Sequence, residues 1–304
     1  MKILRVPFTL GTGLLLALAA AQAPEITRDQ QRFSLATLSE LKGESPFLRY
    51  GERTALGEGE ARTYLELDIH GDPIELGVVL TEAALEGLPA AGTGHHGGHE
   101  MPHTYLLELP RQEGVPFQFL EMNWNPSGHE PEGVYAGVPH FDFHFYTVDR
   151  ALRESIVPSD PRWAEKANHV PAPEFIPQFN AALAPPGATP ADIAVPMMGV
   201  HWVDVTSPEL QGIMGKPEQY RPFTRTFIHG SWDGELIFWE PMITRAHILS
   251  KKDATDPMVR DEFIPIPTPA RYQAHGWYPS AYRIMWDEDA RVYRIALTRL
   301  AEQG

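Results

Sequence analysis

Residues 63–80 read Thr63-Tyr64-Leu65-Glu66-Leu67-Asp68-Ile69-His70-Gly71-Asp72-Pro73-Ile74-Glu75-Leu76-Gly77-Val78-Val79-Leu80. Thr63, Leu65, Leu67 and Ile69 alternate with Tyr64, Glu66 and Asp68, and beyond the His70–Pro73 turn Ile74, Leu76, Val78 and Leu80 resume the alternation. A period of two is that of a half-buried strand, so the stretch predicts an antiparallel hairpin. Thr81–Leu85 then reads as a short capped helix ended by Gly87 and Pro89. The same alternation predicts strands at 103–109, 116–124, 139–148, 197–205, 223–229, 235–240, 280–286 and 291–298. Two of these pairs are expected to close as hairpins, through Gly230–Gly234 and through Asp287–Ala290. Strands in hairpins with few helices predict an all-β fold, an antiparallel barrel or a sandwich. With 29 Pro and 25 Gly in 304 residues, a helical bundle is excluded.

Outside this frame the chain divides by composition. Lys2 and Arg5, an apolar run from Val6 and the small residues Ala19-Ala20-Ala21 make the three parts of a secretory signal peptide, expected over 1–21. Residues 22–60 are expected as an N-terminal arm and 61–304 as a single β-rich domain. Within that domain, 150–196 carries nine prolines and reads as a long insertion with short helices near Asp149–Ile156 and Trp163–His169. The expected location is periplasmic or extracellular, and the mature chain holds no apolar run long enough to span a membrane.

Charge and cysteine content narrow the chemistry. Acids outnumber bases 40 to 25, a formal charge of −15, which argues against nucleic acid and anionic membrane surfaces as partners. Cysteine is absent, which removes disulfides, zinc–thiolate sites, iron–sulfur clusters and thiol catalysis. No glycine-rich phosphate loop follows a strand, and Ser231 lacks a nucleophile-elbow context.

The 13 histidines make metal chemistry the leading question. His99, Glu100 and His103 spell H-E-x-x-H, but that motif needs a helix, and Gly97-Gly98 before it and Pro102 within it forbid one. The His95–His103 loop is either an adaptable collector of copper, zinc or nickel or a solvated Gly/His loop. Pro139-His140-Phe141-Asp142-Phe143-His144-Phe145-Tyr146 carries more information. On a strand, His140, Asp142, His144 and Tyr146 share one face and the three phenylalanines the other. His140 and His144 would stand ~13 Å apart on a straight strand, so sharing one ion requires a bulge or bend. His129, across a Gly/Pro turn, and His201, on the strand around Met198–Asp204, are the candidates to complete a set. The expected metal residues are therefore His129, His140, Asp142, His144 and His201. Glu132, Tyr146, Trp202 and Glu240 are candidates to line a ligand site beside them, the two glutamates also as carboxylate ligands or general bases. A divalent transition metal, zinc or copper, suits imidazole-rich, thiolate-free donors. The same residues would also serve as a metal-free hydrogen-bonded network, in a non-enzymatic envelope protein that binds a ligand or builds a structural oligomer, or as acid–base groups.

The blocks Gly128-His129-Glu130-Pro131, Tyr135, Pro139–Tyr146, Met198–Trp202 and Phe227–Gly234 through Thr244 resemble an exported bacterial family of unassigned function. The resemblance spans roughly residues 60–300 and implies an extracytoplasmic β-rich domain capable of self-association. It implies no reaction.

Overall fold

The computed structural model describes residues 47–90 and 102–304, together with the backbone of 95–96 and 99–100. The expected signal peptide and most of the expected arm lie outside the described residues. The architecture is mostly β, built as a sandwich of antiparallel sheets with a few short helices, and the barrel alternative is not realised.

The first sheet contains β1 (Leu48–Leu56), β2 (Gly59–Leu67), β3 (Pro73–Thr81), β11 (Asp261–Pro265), β12 (Ala281–Asp287) and β13 (Val292–Thr298). Its order is β1-β2-β3-β13-β12-β11. The second sheet contains β4 (His103–Glu108), β5 (Phe119–Asn125), β6 (His140–Tyr146), β7 (Asn180–Ala181), β8 (Val200–Asp204), β9 (Arg225–Trp232) and β10 (Glu235–Thr244). Its order is β4-β5-β6-β10-β9-β8-β7. The inward positions of both sheets build one core, to which Leu65, Leu76, Val78, Ile284 and Ile295 contribute from the first sheet and Phe141, Phe143, Phe145 and Trp239 from the second. Each such large apolar side chain contributes roughly 1.5–3 kcal/mol by leaving water.

The opening hairpin forms as the alternation predicts, β2 pairing with β3 from Ala61↔Leu80 to Leu65↔Leu76. The short helix at Glu82–Leu85 is a single 3₁₀ turn. Within the Pro-rich stretch, α1 (Arg150–Ser155), α2 (Trp163–Asn168) and the short α3 (Pro190–Ile193) are helical, α1 capped by the Asp149 carboxylate accepting from Leu152 N–H. Two differences from the sequence reading have local causes. Strand β9 runs on through Trp232 with a bulge at Gly230/Ser231, because the reversal needs only Asp233 and Gly234, at φ 48° and 84°. The edge strands β1 and β11 carry little period-two signal. Strand β1, which lies within the stretch read as an arm, is largely exposed and shifts register between Tyr50 and Arg53. An edge strand with one solvated flank needs no alternation to pair. Among the described residues, no helix is long and apolar enough to cross a membrane.

A second, smaller core lies on the other side of the second sheet. Val134, Tyr135, Leu210 and Phe223, from the segments 126–139 and 205–224, pack against Val203, Ile228 and Met242 of the sheet. These two segments roof the polar face of β6.

Candidate metal centre

All seven residues of β6 are buried, so both sides of the strand are desolvated. The register places Glu121, Asn123 and Asn125 of β5 beside His144, Asp142 and His140. On the other flank Met242 and Thr244 of β10 stand beside Asp142 and His140, which sets Glu240 level with His144. The polar face is therefore assembled row by row across three strands, while Phe141, Phe143 and Phe145 pack into the sandwich core.

At one end of this row, His129, His140 and Asp142 present donor atoms to one another. His129 Nε2 lies 3.5 Å from Asp142 Oδ2, and His140 Nε2 lies 3.3 Å from Asp142 Oδ1. Each ring is oriented from behind: His129 Nδ1 donates to the Glu130 carbonyl at 2.7 Å and His140 Nδ1 to the Val138 carbonyl at 2.6 Å. That arrangement places a proton on each Nδ1 and turns each Nε2 toward the carboxylate, the orientation seen in histidines that bind metals. Asn125 donates to Asp142 Oδ2 at 2.8 Å. His140 Nε2 and Asp142 Oδ1 are buried and have no hydrogen-bond partner. Burial opposes the Asp142 carboxylate, yet His140 and His129 hold it well below the usual range. Burial also opposes charge on His129, and Asp142 with the Glu130 carbonyl outweighs it, raising that imidazole. His129 arrives here through a turn in which Gly128 is required: at φ 67° a Cβ would stand 2.1 Å from the Tyr135 carbonyl.

At the other end, His144, His201 and Glu240 form a second set. His144 Nε2 is 3.5 Å from Glu240 Oε1, and His201 Nε2 is 4.0 Å from Glu240 Oε2. Both ring nitrogens of His144 and Glu240 Oε2 are buried without a partner. Burial lowers His144 to about 4 and His201 to about 3, so both rings are neutral near neutrality. Burial, with Asp142 and Glu121 nearby, raises Glu240 well above the usual carboxyl range. The Phe238 ring packs edge-on to both imidazoles, at 4.8 Å from His144 and 5.3 Å from His201. It occupies the space a side chain at Gly230 would need, since a Cβ there would lie 2.0 Å from the ring.

The five residues expected to share one centre thus fall into two adjacent sets. Strand β6 pairs with β5 in unbroken register from Phe119↔Tyr146 to Asn125↔His140, so no bulge draws His140 and His144 together. Of the four residues expected to line a ligand site, Glu240 completes the second set. Glu132 is exposed on the roof segment, its amide donating to the Glu130 carboxylate. Tyr146 is buried, and its hydroxyl donates to the Met197 carbonyl at 3.0 Å. Trp202 sits on the opposite side of β8 from His201 and donates through Nε1 to Ser231 Oγ at 2.8 Å. The side chains of the His95–Glu100 stretch lie outside the described residues. Its backbone forms a two-stranded ladder, His95↔Glu100 and His96↔His99, and not the helix a metalloprotease motif needs.

Other residues at the site were passed over in the sequence. Glu121, Asn123 and Asn125 alternate with Leu120, Met122 and Trp124 in the same manner as the histidine strand, so a signal was present. Arg153 of α1 pairs with Glu121 at 2.7 Å, both buried, and closes the row beside His144. Tyr135 and Glu209 of the roof bury the Tyr135 hydroxyl and Glu209 Oε1 without partners. No local pattern marks those two.

Residues 68–124 match the family described as TTHB210-like, hypothetical protein TTHB210. The matched stretch ends at Trp124, before the histidine-rich strand and its roof. No curated protein and no solved structure matches the chain.

Proposed function

We propose that this is an exported metal-binding β protein whose divalent transition ion, zinc or copper, is held by His129, His140 and Asp142. One observation carries the reading: Asp142 stands 3.3 Å from His140 Nε2 and 3.5 Å from His129 Nε2, and His140 Nε2 and Asp142 Oδ1 are buried without a hydrogen-bond partner. A charge-assisted hydrogen bond would close to roughly 2.7–2.9 Å. Donors about 2.0–2.1 Å from a tetrahedral ion stand roughly 3.4 Å apart. A metal-free polar network would draw these atoms together, so their spacing favours an ion. Three protein donors leave a fourth position open at a tetrahedral centre, where the ion can act as a Lewis acid or activate a water.

The test is elemental analysis of protein purified without chelators, beside His140→Ala and Asp142→Asn. Each substitution is expected to remove one equivalent of metal. Unchanged stoichiometry in both overturns the assignment. Export rests on the basic, apolar and small-residue order of residues 1–21. Amino-terminal sequencing of the mature protein should find a start at Gln22, and an intact Met1 would remove that part of the reading.

A further inference from the structure

We propose that His144, His201 and Glu240 hold a second divalent transition ion, making the polar face of β6 a two-ion centre. The inference rests on the reading of the first set as a metal site and extends it along the strand. The donor chemistry is the same: two imidazoles and one carboxylate, with no thiolate. Their donor atoms all lie within 4.8 Å of one another, with the carboxylate oxygens of Glu240 at 3.5 and 4.0 Å from the two Nε2 atoms.

Three further observations point to a cation. Both ring nitrogens of His144 and Glu240 Oε2 are unpartnered on side chains only 1% and 2% exposed. Buried polar atoms left this way are costly, and native proteins satisfy them with a partner, a water or an ion. The guanidinium of Arg153, which lies close enough to act on His144, is already engaged with Glu121 through Nε and Nη2. Among the described residues, no Lys or Arg pairs with Glu240, whose carboxyl oxygens face the two imidazoles. Each set also keeps one imidazole partly exposed, His129 with 35% of its side chain and His201 with 23%.

The two sets begin one same-face step apart on β6, about 7 Å at ~3.3 Å per residue. Ions that share a single bridging oxygen stand roughly 3.5–4 Å apart. Two ions here would therefore be separate, each with its own three protein donors and its own open position.

The experiment is a cobalt(II) titration of chelator-stripped protein, read by ligand-field absorption and by bound cobalt after gel filtration. Glu240→Gln preserves shape, and His201→Ala alters a partly exposed residue, so at least one variant should keep the wild-type circular dichroism. Each is expected to bind one equivalent fewer than wild type while retaining the equivalent that His140→Ala loses. Glu240→Gln combined with His140→Ala should lose two. Wild-type stoichiometry in both Glu240→Gln and His201→Ala overturns the second site and leaves the first reading intact. Loss of one common equivalent in every variant, double variant included, also overturns it, because a single shared ion would then serve all six residues. Wild-type stoichiometry in His140→Ala alone would remove the first site and leave the second standing.

Discussion

Two clusters of buried charge sit on the faces of the two sheets turned away from the sandwich core, and they are built from different cations. On the first sheet, Arg283 engages Asp261 through Nε and Nη2 and reaches both carboxylate oxygens of Glu75 at 3.3 Å, while Tyr64 donates to Glu75 at 2.6 Å. None of these side-chain atoms is buried without a partner. On the second sheet, the carboxylates of Asp142 and Glu240 face imidazoles at 3.3–4.0 Å, and five atoms of the two sets are unpartnered. A guanidinium carries a permanent charge and five donors in a planar fork, enough to satisfy two carboxylates. An imidazole carries no permanent charge and has at most two ring donors, too few to satisfy a carboxylate as the guanidinium does. The first cluster is closed by its own arginine, whereas the second has no Arg or Lys paired with Asp142 or Glu240 among the described residues, and its donor atoms are grouped so that they could hold an ion.

The largest effect that would break this contrast is at Arg283. Arg283→Met leaves Glu75 buried without its guanidinium, a change expected to cost about 3–5 kcal/mol in urea unfolding. The loss should be the same with and without chelator, since no ion takes part. A loss below ~1 kcal/mol would mean that the first cluster is not closed by its arginine.

The contrast was half legible in the sequence. His140-x-Asp142-x-His144 against Phe141-x-Phe143-x-Phe145 announces a strand with one polar and one apolar face, because side chains alternate along any strand. The sandwich and the roles of the three phenylalanines follow from that pattern. Strand rise also warned that His140 and His144 could not meet on a straight strand, and the unbroken register of β6 with β5 resolves the question as two sets. What no local pattern contained is the cross-strand row. Glu240 stands level with His144 only through a ladder between residues some 90–100 positions apart, and His201 reaches it from β8 on the far side of β9 through two further ladders. The delivery of His129 depends on the fold of the 126–139 segment around Gly128. Sequence named the ligand types and the strand; pairing decided which of them share a centre.

The next effect in size is that of the metal itself. If ions complete the second cluster, unfolding of the metal-loaded protein should shift on chelation, by about 2.7 kcal/mol for a site held at a hundredfold excess of free ion over Kd. His140→Ala should shrink the shift, and Arg283→Met should leave it unchanged. A melting curve indifferent to chelator in wild type would place both clusters in the same metal-free class and erase the distinction.

A smaller effect sharpens the comparison from inside the second sheet. His229 lies on the inward face of β9, fully buried among Phe227 and Trp239, with Asn180 as its side-chain partner at 3.3 Å. Burial alone lowers it to about 3, against an ordinary value of 6.5. A base with a lowered native value is neutral when folded and protonates when unfolded, so its contribution is complete above 6.5 and is lost as pH falls toward 3. One proton gained on unfolding gives a slope of about 1.4 kcal/mol per pH unit. His144 and His201, lowered to about 4 and 3, add the same sign in metal-free protein. His229→Gln keeps an acceptor for Asn180 and removes one titrating site. Its unfolding free energy should therefore gain on wild type by about 1 kcal/mol between pH 6.5 and 5.5, the site being half protonated in the unfolded chain at the upper end, with or without metal. His144 and His201 are deprotonated in the folded protein with or without an ion above about pH 4, so both forms should share this slope there, and an ion should extend it to lower pH by holding the rings deprotonated. Metal-loaded and metal-free wild type whose acid profiles stay parallel even below about pH 4 would separate the two histidines from any ion, leaving His229 and the outward row as equivalent buried bases.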